Sequence, residues 1–250
     1  NNGILVWQPS PAYDGTQLIG NRIRRIKAAA GGSGQNGNAI NVFRAAGVLV
    51  AQNTMLDCAY SAVRGNAASN LQIVANQARR IGEVALYAEF GFQGAVIAQN
   101  VIDTAATGIS VTNFNVGGRL AVVHGNLVRN LQRREHEPVD KRGNGIAVEA
   151  DATVTGNTVE GAPTAGLVIG WGQHMRNVVA SGNAIRDAGV GVMVTGNPAA
   201  GRALIANNMI ARVRDGAVRR MTRGALYGPD LVSRAADPRI VVRGNIVTED

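Results

Sequence analysis

Apolar and polar residues alternate along much of this chain, and the alternation breaks at a recurring asparagine, as in LVAQNTM, VIAQNVI and VVHGNLV. The residue three positions before this asparagine and the residue two positions after it are apolar in every copy. A period of two is typical of strands that bury one face. Each copy is therefore predicted to form a strand, a turn at the asparagine and a second strand. The nine asparagines are Asn21, Asn53, Asn76, Asn100, Asn126, Asn157, Asn183, Asn208 and Asn245.

The spacing of these asparagines is 23 to 26 residues in the basic unit, and insertions lengthen it to 31, 32 and 37. A third strand follows in each unit and often opens with glycine, as in GISVTNF at 108–114 and GIAVEAD at 145–151. Three short strands per unit, stacked on the same strands of the next unit, predict an all-β, single-stranded, right-handed parallel β-helix of about nine coils. We expect one domain over residues 1–250.

The asparagines are predicted to have a structural role inside the solenoid. Asparagine tolerates the left-handed conformation that a sharp turn needs, so we expect it to occupy that conformation here. Its amide both donates and accepts hydrogen bonds, and stacked amides can form a continuous internal ladder. The alternative architecture is the leucine-rich repeat, but Val, Ile and Ala fill the columns here and the return segments lack helical periodicity, which favours the β-helix.

Four insertions interrupt the units. The segment 9–15, PSPAYDG, is predicted to be a loop because it holds two prolines and a turn dipeptide. The segment 27–37 is rich in Gly and Ala and is predicted to be flexible, and 132–144 is the most charged stretch. The segment 219–239 breaks the repeat, and we expect it to cap or decorate the last coil, since an open coil end exposes unpaired strand edges.

The GIxV strand, followed about 15 residues later by VxxNxI, resembles the repeat of pectate-lyase-like and NosD-like right-handed β-helix proteins. Taken whole, the chain is most similar to the family of twin-arginine-translocated repeat proteins. The resemblance covers nearly all of the chain and is specific for the fold, but it brings no catalytic motif. It implies export to the periplasm or beyond, and it implies that the GIxV strands form the floor of a polysaccharide groove.

Composition narrows the possible partners. The net charge is +8, and of 25 basic residues only Lys27 and Lys141 are lysines. Arginine suits carboxylate, sulfate and phosphate partners, although biased base composition would enrich it without a function. The arginines are scattered over many coils, which argues against nucleic acid. Cys58 is the only cysteine, so an intrachain disulfide is excluded. No apolar run is long enough to span a membrane, and the chain opens at Asn1 without Met, so a leader is expected to have been removed.

Strand parity sorts the side chains of the GIxV strands into outward columns. One column is predicted to hold Asn41, Arg64 and Tyr87, and the next to hold Glu89 and Glu149, with Asp151 one step further along. Aromatic residues collect on the same side, and they stack well on sugar rings, although rings also fill corners between sheets. The candidate substrate-binding residues are Trp7, Asn41, Arg64, Tyr87, Phe114 and Trp171.

Glu89 and Glu149 are predicted to lie two coils apart, about 10 Å, near the upper limit for the acid and base of an inverting glycosidase. Glu89, Glu149 and Asp151 are alternatively candidate Ca²⁺ ligands. For β-elimination, the charged loop offers a cation and a base. The candidate catalytic residues are Glu89, Glu149, Asp151, Lys141, Arg142 and His136. Solvated surface charges remain the alternative for all six.

The sequence therefore predicts an exported protein that binds an anionic, uronate-type polysaccharide along the GIxV strands. Whether it also cleaves the polymer, as a lyase or a glycoside hydrolase, stays open at this point. The competing class is a non-catalytic scaffold or adhesin-like interaction protein with the same fold. No cofactor is expected apart from the possible Ca²⁺, and the sugar, its linkage and the oligomeric state are not predicted.

Overall fold

The computed structural model describes residues 1–29, 36–112, 119–134, 143–233 and 237–249. All regular structure in these ranges is β-strand, and every strand pair except one is parallel. The strands, in chain order, are β1 (Ile4–Tyr13), β2 (Gln17–Ile19), β3 (Arg22–Arg24), β4 (Ile40–Ala46), β5 (Leu49–Ala51), β6 (Thr54–Cys58), β7 (Val63–Asn66), β8 (Leu71–Val74), β9 (Gln77–Glu89), β10 (Gln93–Ala98), β11 (Val101–Thr112), β12 (Arg119–His124), β13 (Leu127–Arg129), β14 (Asn144–Val148), β15 (Ala152–Thr155), β16 (Thr158–Ile169), β17 (Val178–Ser181), β18 (Ala184–Thr195), β19 (Ala203–Ala206), β20 (Met209–Val213), β21 (Val218–Thr222), β22 (Ala225–Tyr227), β23 (Ile240–Arg243) and β24 (Ile246–Thr248).

Two sheets run the length of the solenoid. A nine-stranded sheet, ordered β2-β5-β8-β10-β12-β15-β17-β19-β23, contains the strand that precedes each recurring asparagine. A 15-stranded sheet contains both the strand after the asparagine and the GIxV strand of each coil. The predicted right-handed parallel β-helix with nine coils is therefore confirmed. The described ranges contain no helix, so the leucine-rich-repeat alternative is wrong and no helix is available to cross a membrane.

The second and third predicted strands of a coil are not always separate. In four coils they form one long bent strand, namely β9, β11, β16 and β18. Each of these strands contains one residue with positive φ, at Arg80, Thr104, Gly161 and Asp187. A single left-handed residue bends the strand while its pairing with the neighbouring coils continues. The bend shifts the alternation of apolar and polar residues, so the sequence pattern suggests two separate strands.

The interior is a single stack of aliphatic side chains. The column three residues before the asparagine is buried in the seven central coils, from Val50 to Ile205, and Leu18 and Val242 of the terminal coils are only partly buried. Phe92 is the one aromatic residue of this core within the described ranges. Small and branched side chains suit coils that lie about 4.8 Å apart, because each side chain packs on its equivalent in the next coil.

The asparagine ladder is continuous through all nine positions. The side-chain amide of Asn100, for example, donates to Oδ1 of Asn126 at 2.9 Å and to the carbonyl of Ile73 at 2.9 Å. The backbone N–H of Asn100 also donates to Asn126 Oδ1, at 3.0 Å. Equivalent amide-to-amide bonds join every neighbouring pair from Asn21 to Asn245. The predicted ladder is confirmed.

The prediction that the ladder asparagines adopt the left-handed conformation is wrong. The left-handed residue is the one immediately before each ladder asparagine, and its φ lies between 55° and 70° in all nine coils. This position holds glycine in five coils, and only one copy is asparagine. The turn therefore needs the left-handed residue first, so that the following asparagine points its amide into the stack. The nine residues are Gly20, Gln52, Ala75, Gln99, Gly125, Gly156, Gly182, Asn207 and Gly244.

Two insertions differ from their prediction. The segment 9–15 is not a loop throughout, since β1 continues to Tyr13 with an irregularity between Trp7 and Ala12. Both prolines lie in that irregularity on an edge strand, where a missing N–H is tolerated. Residues 219–222 continue the repeat in β21, and β22 then folds back on β21 as the only antiparallel pair among the described strands. Residues 30–35 and 135–142 of the other two insertions lie outside the described ranges.

A stack of ion pairs accounts for several arginines. These pairs join neighbouring coils on the outer side of the strand that follows the ladder asparagine. Hydrogen bonds from Arg80 hold the pKa of Asp57 below its usual value, and Arg212 does the same for Asp187. The pairs are exposed, so each contributes little to stability. They are Arg80–Asp57 at 2.6 Å, Arg129–Asp103 at 3.1 Å, Arg212–Asp187 at 2.7 Å, and Arg186–Glu160.

Candidate functional site

The outer side of the GIxV strands, called here the GIxV face, has the columns that strand parity predicts. Asn41 pairs with Arg64, Arg64 with Tyr87, and Tyr87 with Ser110. In the next column Glu89 pairs with Thr112, and the backbone N–H of Glu149 bonds the carbonyl of Val111. Glu89 and Glu149 are therefore two coils apart in one column, as the sequence predicts.

A cavity of about 150 Å³ opens on this face over β9, β11, β14 and the end of β16. We call it the central cavity. Its polar lining combines two carboxylates, a phenol, an indole, three hydroxyls and an amide, and the rest of the lining is aliphatic. The polar lining residues are Glu83, Tyr87, Thr107, Ser110, Thr112, Asn144, Glu149 and Trp171.

Glu83 reaches the central cavity because β9 contains one extra residue. Ile81 pairs with Ala105 and Val84 pairs with Thr107, so three steps along β9 match two steps along β11. An inserted residue of this kind re-aims a side chain and is common near functional sites. Strand parity assumes no insertion, so the sequence analysis missed Glu83. The neighbouring Gly82 was the sequence signal for this irregularity. Only glycine fits there, because a Cβ would lie 2.1 Å from the carbonyl oxygen of Ala59.

Trp171 lines the central cavity from the turn that follows β16. β16 ends at Ile169, and Gly170 then takes a φ of 70°, which turns the chain so that the indole lies over the face. Next to the indole lies an apolar cluster: Val168 and Met193 pack there with Trp171 and with Leu226 of β22. Leu226 of the folded-back β22 thus packs over this cluster.

Tyr87 connects the central cavity to a buried charge pair. Arg64 Nε lies 2.6 Å from Oε1 of Glu89, whose side chain is 2 % exposed, and the amide of Asn66 donates to the same oxygen at 3.0 Å. The Arg64 guanidinium lies 5.8 Å from the centre of the Tyr87 ring. Burial, with a contribution from the negative charge of Glu89, raises the pKa of the Tyr87 phenol well above its usual value. Tyr87 is therefore a neutral hydrogen-bond donor or acceptor at the cavity wall and not a phenolate base.

The structure brings together Tyr87, Glu149 and Trp171 of the predicted site residues. Glu89 and Arg64 lie beside the central cavity but are paired with each other. Asn41 lies one coil before Arg64. Trp7 is in the first coil, 55 % exposed, and does not line the cavity. Phe114, His136, Lys141 and Arg142 lie outside the described ranges, so their predicted roles stay predictions.

Asp151 does not join the other carboxylates. β14 ends at Val148, and Asp151 lies in the turn that follows, with a φ of 46°. Its carboxylate pairs with Arg176 at 2.8 Å and accepts a hydrogen bond from the amide of Asn177 at 2.9 Å. The structure therefore does not assemble Glu89, Glu149 and Asp151 as Ca²⁺ ligands. Across the described ranges, no three His, Cys, Asp or Glu side chains converge on a possible metal position.

Comparison with known families supports the architecture. The sequence profile described as "right handed beta helix region" matches residues 2–185, well over half of the chain. The chain belongs to the right-handed β-helix family. The match includes all residues that line the central cavity of this β-helix protein. A search of curated proteins gave no match. Family membership establishes the fold, whereas the narrower resemblance to twin-arginine-translocated proteins stays a prediction.

Proposed function

We propose that this β-helix protein binds a polysaccharide along the GIxV face and holds one sugar unit in the central cavity. The carrying observation is that the Trp171 indole shares one small cavity with Ser110, Asn144 and two further hydroxyl side chains. An aromatic ring stacks on the apolar face of a sugar, while hydroxyls and amides bond the sugar hydroxyls. The sheet continues toward the N-terminal coils, which leaves room for the neighbouring units of a polymer.

The charge of the polymer is a separate question. The uronate preference expected from the sequence depends on Lys141 and Arg142, which lie outside the described ranges. The described lining holds Glu83 and Glu149 and neither arginine nor lysine. The described lining therefore supports binding of a glycan, and the preference for an anionic glycan stays a prediction.

Hydrolysis is the second candidate function, favoured by the presence of two carboxylates in one cavity. A glycosidase needs one carboxylic acid to protonate the leaving oxygen and one carboxylate to act as base or nucleophile. Glu83 and Glu149 both line the central cavity, whereas Glu89 is held by Arg64. If the protein cleaves its ligand, we propose that Glu83 and Glu149 act together, in place of the Glu89 and Glu149 pair. The β-eliminating alternative depends on Lys141 and Arg142, which lie outside the described ranges.

The test is calorimetric titration of the purified protein with tetrasaccharides of neutral, amino and uronate sugars. Trp171→Ala should weaken binding by at least about tenfold, because one stacking contact contributes about 1.5 kcal/mol. Trp7→Ala is the matched control, since Trp7 is exposed three coils from Glu89 in the same column and should bind as the unmodified protein does. Absence of binding across the panel, or equal loss in both variants, contradicts the proposal.

Cleavage is followed in the same samples, with and without Ca²⁺, as new reducing ends and as ultraviolet absorbance from unsaturated products. Hydrolysis gives only the first signal and elimination gives both. Glu149→Gln should abolish either signal. Binding without any cleavage by the unmodified protein favours the scaffold class. Export to the periplasm or beyond, which we propose from the family resemblance alone, is tested by fractionating cells that express the full gene product.

A further inference from the structure

The outer side of the strand after each ladder asparagine changes in charge along the solenoid. Three positions of each coil face outward there, namely the first, third and fourth residues after the asparagine. In coils four to eight, numbered by their ladder asparagines, these positions hold three carboxylates and three arginines, and all six belong to ion pairs. In coils one to three the same positions hold five arginines and one carboxylate: Arg22, Arg24, Arg25, Arg79, Arg80 and Asp57.

We call these five arginines the basic patch. All five are exposed. Arg80 pairs with Asp57 at 2.6 Å, whereas the other four form no ion pair with any described residue. Hydrogen bonds from Arg80 lower the pKa of Asp57 most, and the charges of Arg25 and Arg79 lower it further, so one carboxylate lies among three arginines. Five arginines against one carboxylate leave an excess of four positive charges.

The basic patch extends in two directions over the sheet. Arg22 and Arg24 are two residues apart on β3, so their Cα atoms lie about 7 Å apart. Arg24 and Arg79 belong to one column and are two coils apart, which is about 10 Å. Asp103 follows Arg79 in this column and is the partner of Arg129 at 3.1 Å. The paired part of the column therefore begins where the basic patch ends.

We propose that the basic patch docks the protein on an anionic lipid bilayer by binding the phosphate groups of the lipid headgroups. This inference goes beyond glycan binding and does not depend on it. A guanidinium group can donate two parallel hydrogen bonds to one phosphate, and clusters of several cations are attracted to an anionic bilayer surface. The bend at Arg25, Asp57 and Arg80, where φ lies between 53° and 58°, separates the basic patch from the GIxV face. The central cavity therefore lies past the bend and outside the docking surface.

A lipid surface fits the basic patch better than a glycan or a single-stranded nucleic acid does. Sugar sites combine aromatic rings with a concave pocket, and unpaired bases also stack on aromatic rings. The basic patch includes no aromatic residue, and none of its arginines lines the central cavity. Charge spread in two directions over an open sheet face matches a planar array of phosphates.

The experiment is sedimentation of the protein with lipid vesicles. One set of vesicles contains phosphatidylcholine and phosphatidylglycerol in equal parts, and the other contains phosphatidylcholine alone. The protein should sediment with the mixed vesicles and stay in solution with the neutral ones. Added salt should weaken the binding, because it shortens the reach of surface charges from about 10 Å at 0.1 M to about 3 Å at 1 M.

Paired variants assign the binding to the basic patch. Arg24→Gln combined with Arg79→Gln should lower the affinity for the mixed vesicles by at least about tenfold, since each cation near the surface contributes about fivefold. Arg129→Gln combined with Arg186→Gln is the matched control: it removes the same charge from the same column, where each arginine has a carboxylate partner. This control should change the affinity by less than about threefold. All four positions are exposed, so both variants should unfold at the midpoint of the unmodified protein.

Each outcome decides the inference. Trp171→Ala should bind the mixed vesicles as the unmodified protein does, so failure of the glycan proposal leaves this result untouched. Absence of binding to the mixed vesicles, or equal binding to the neutral ones, overturns the inference. Equal losses in the two double variants assign the binding to net charge and also overturn it. If polygalacturonate or duplex DNA displaces the vesicles, and its own binding is lost in the Arg24 and Arg79 variant, the basic patch binds that polymer and the lipid assignment is wrong.

Discussion

Replacement of Asn126 by alanine isolates the contribution of the asparagine ladder. Asn126 is 2 % exposed and lies in the middle of the stack. Its amide donates to Asn157 Oδ1 at 2.9 Å and to the carbonyl of Ile97 at 3.0 Å. Its Oδ1 accepts from the backbone N–H and from the side chain of Asn100, at 3.0 and 2.9 Å. Alanine removes these four hydrogen bonds and supplies no replacement.

The magnitude follows from the groups left behind. The backbone N–H of Asn100 loses its acceptor in a buried position, which costs about 1–3 kcal/mol, and the remaining bonds contribute about 1 kcal/mol each. Asn126→Ala should therefore lower the free energy of unfolding by about 4–6 kcal/mol. Asn21 is the matched control, because it is a half-buried member of the same ladder whose amide donates to Asn53 at 2.9 Å. Water can replace the bonds of Asn21, so Asn21→Ala should cost about 1 kcal/mol or less.

The assay is urea unfolding followed by circular dichroism. Asn126→Ala should move the midpoint to clearly lower urea than Asn21→Ala does. If Asn126→Ala does not fold, Asn126→Ser, which keeps one acceptor, should fold with an intermediate midpoint. Equal midpoints for Asn126→Ala, Asn21→Ala and the unmodified protein would refute the view that the buried ladder stabilises the coils.

Three further predictions test the turns, the buried charge pair and the buried thiol. Gly125→Ala should lower the free energy of unfolding by about 1–2 kcal/mol. The cost comes from the φ of 64° alone, because the added Cβ meets nothing closer than 3.9 Å. Gln99→Gly at the equivalent turn should cost less, and equal costs would contradict the view that this position needs a left-handed residue. Arg64→Ala should lower the free energy of unfolding by about 3 kcal/mol, because Glu89 is left buried without its cation. In the same urea assay, the double variant Arg64→Met, Glu89→Leu should recover much of that loss. Burial raises the pKa of the Cys58 thiol from 9.0 to about 11. Between these pH values the folded state keeps a proton that the unfolded state loses. The free energy of unfolding is therefore highest below pH 9 and declines as the pH rises toward 11. Unfolding midpoints between pH 8 and 10.5 should fall less steeply in Cys58→Ser, and identical slopes contradict the burial of this thiol.

The sequence was sufficient for the fold because the fold is repetitive. Each ladder asparagine marks the same place in its coil, so one alignment predicted the inward columns, the amide stack and the outward pairing of Arg64 with Tyr87. The error at the turn has a physical cause: asparagine is suited to a left-handed φ, but its buried amide matters more here, and the residue before it supplies the left-handed turn. Five glycines among those nine preceding residues were the overlooked signal.

The candidate site was only partly predictable because it depends on departures from the repeat. The extra residue in β9 that presents Glu83, and the left-handed Gly170 that places Trp171, each change one coil and leave the period intact. Asp151 has the right parity for the outward column, yet the strand ends before it and Arg176 binds it in the turn. A column predicts which residues share a face, whereas a cavity also requires the positions of turns and insertions.

The most direct test of glycan binding at the central cavity uses tryptophan fluorescence. Trp7 and Trp171 are the only two tryptophans, so Trp7→Phe leaves Trp171 as the sole reporter. Titration of Trp7→Phe with glucosamine, glucose and galacturonate tetramers should give a saturable change in emission with at least one of them, and Trp171→Phe should give none. A saturable change confined to Trp171→Phe, where only Trp7 reports, or no change in either variant, would contradict the account.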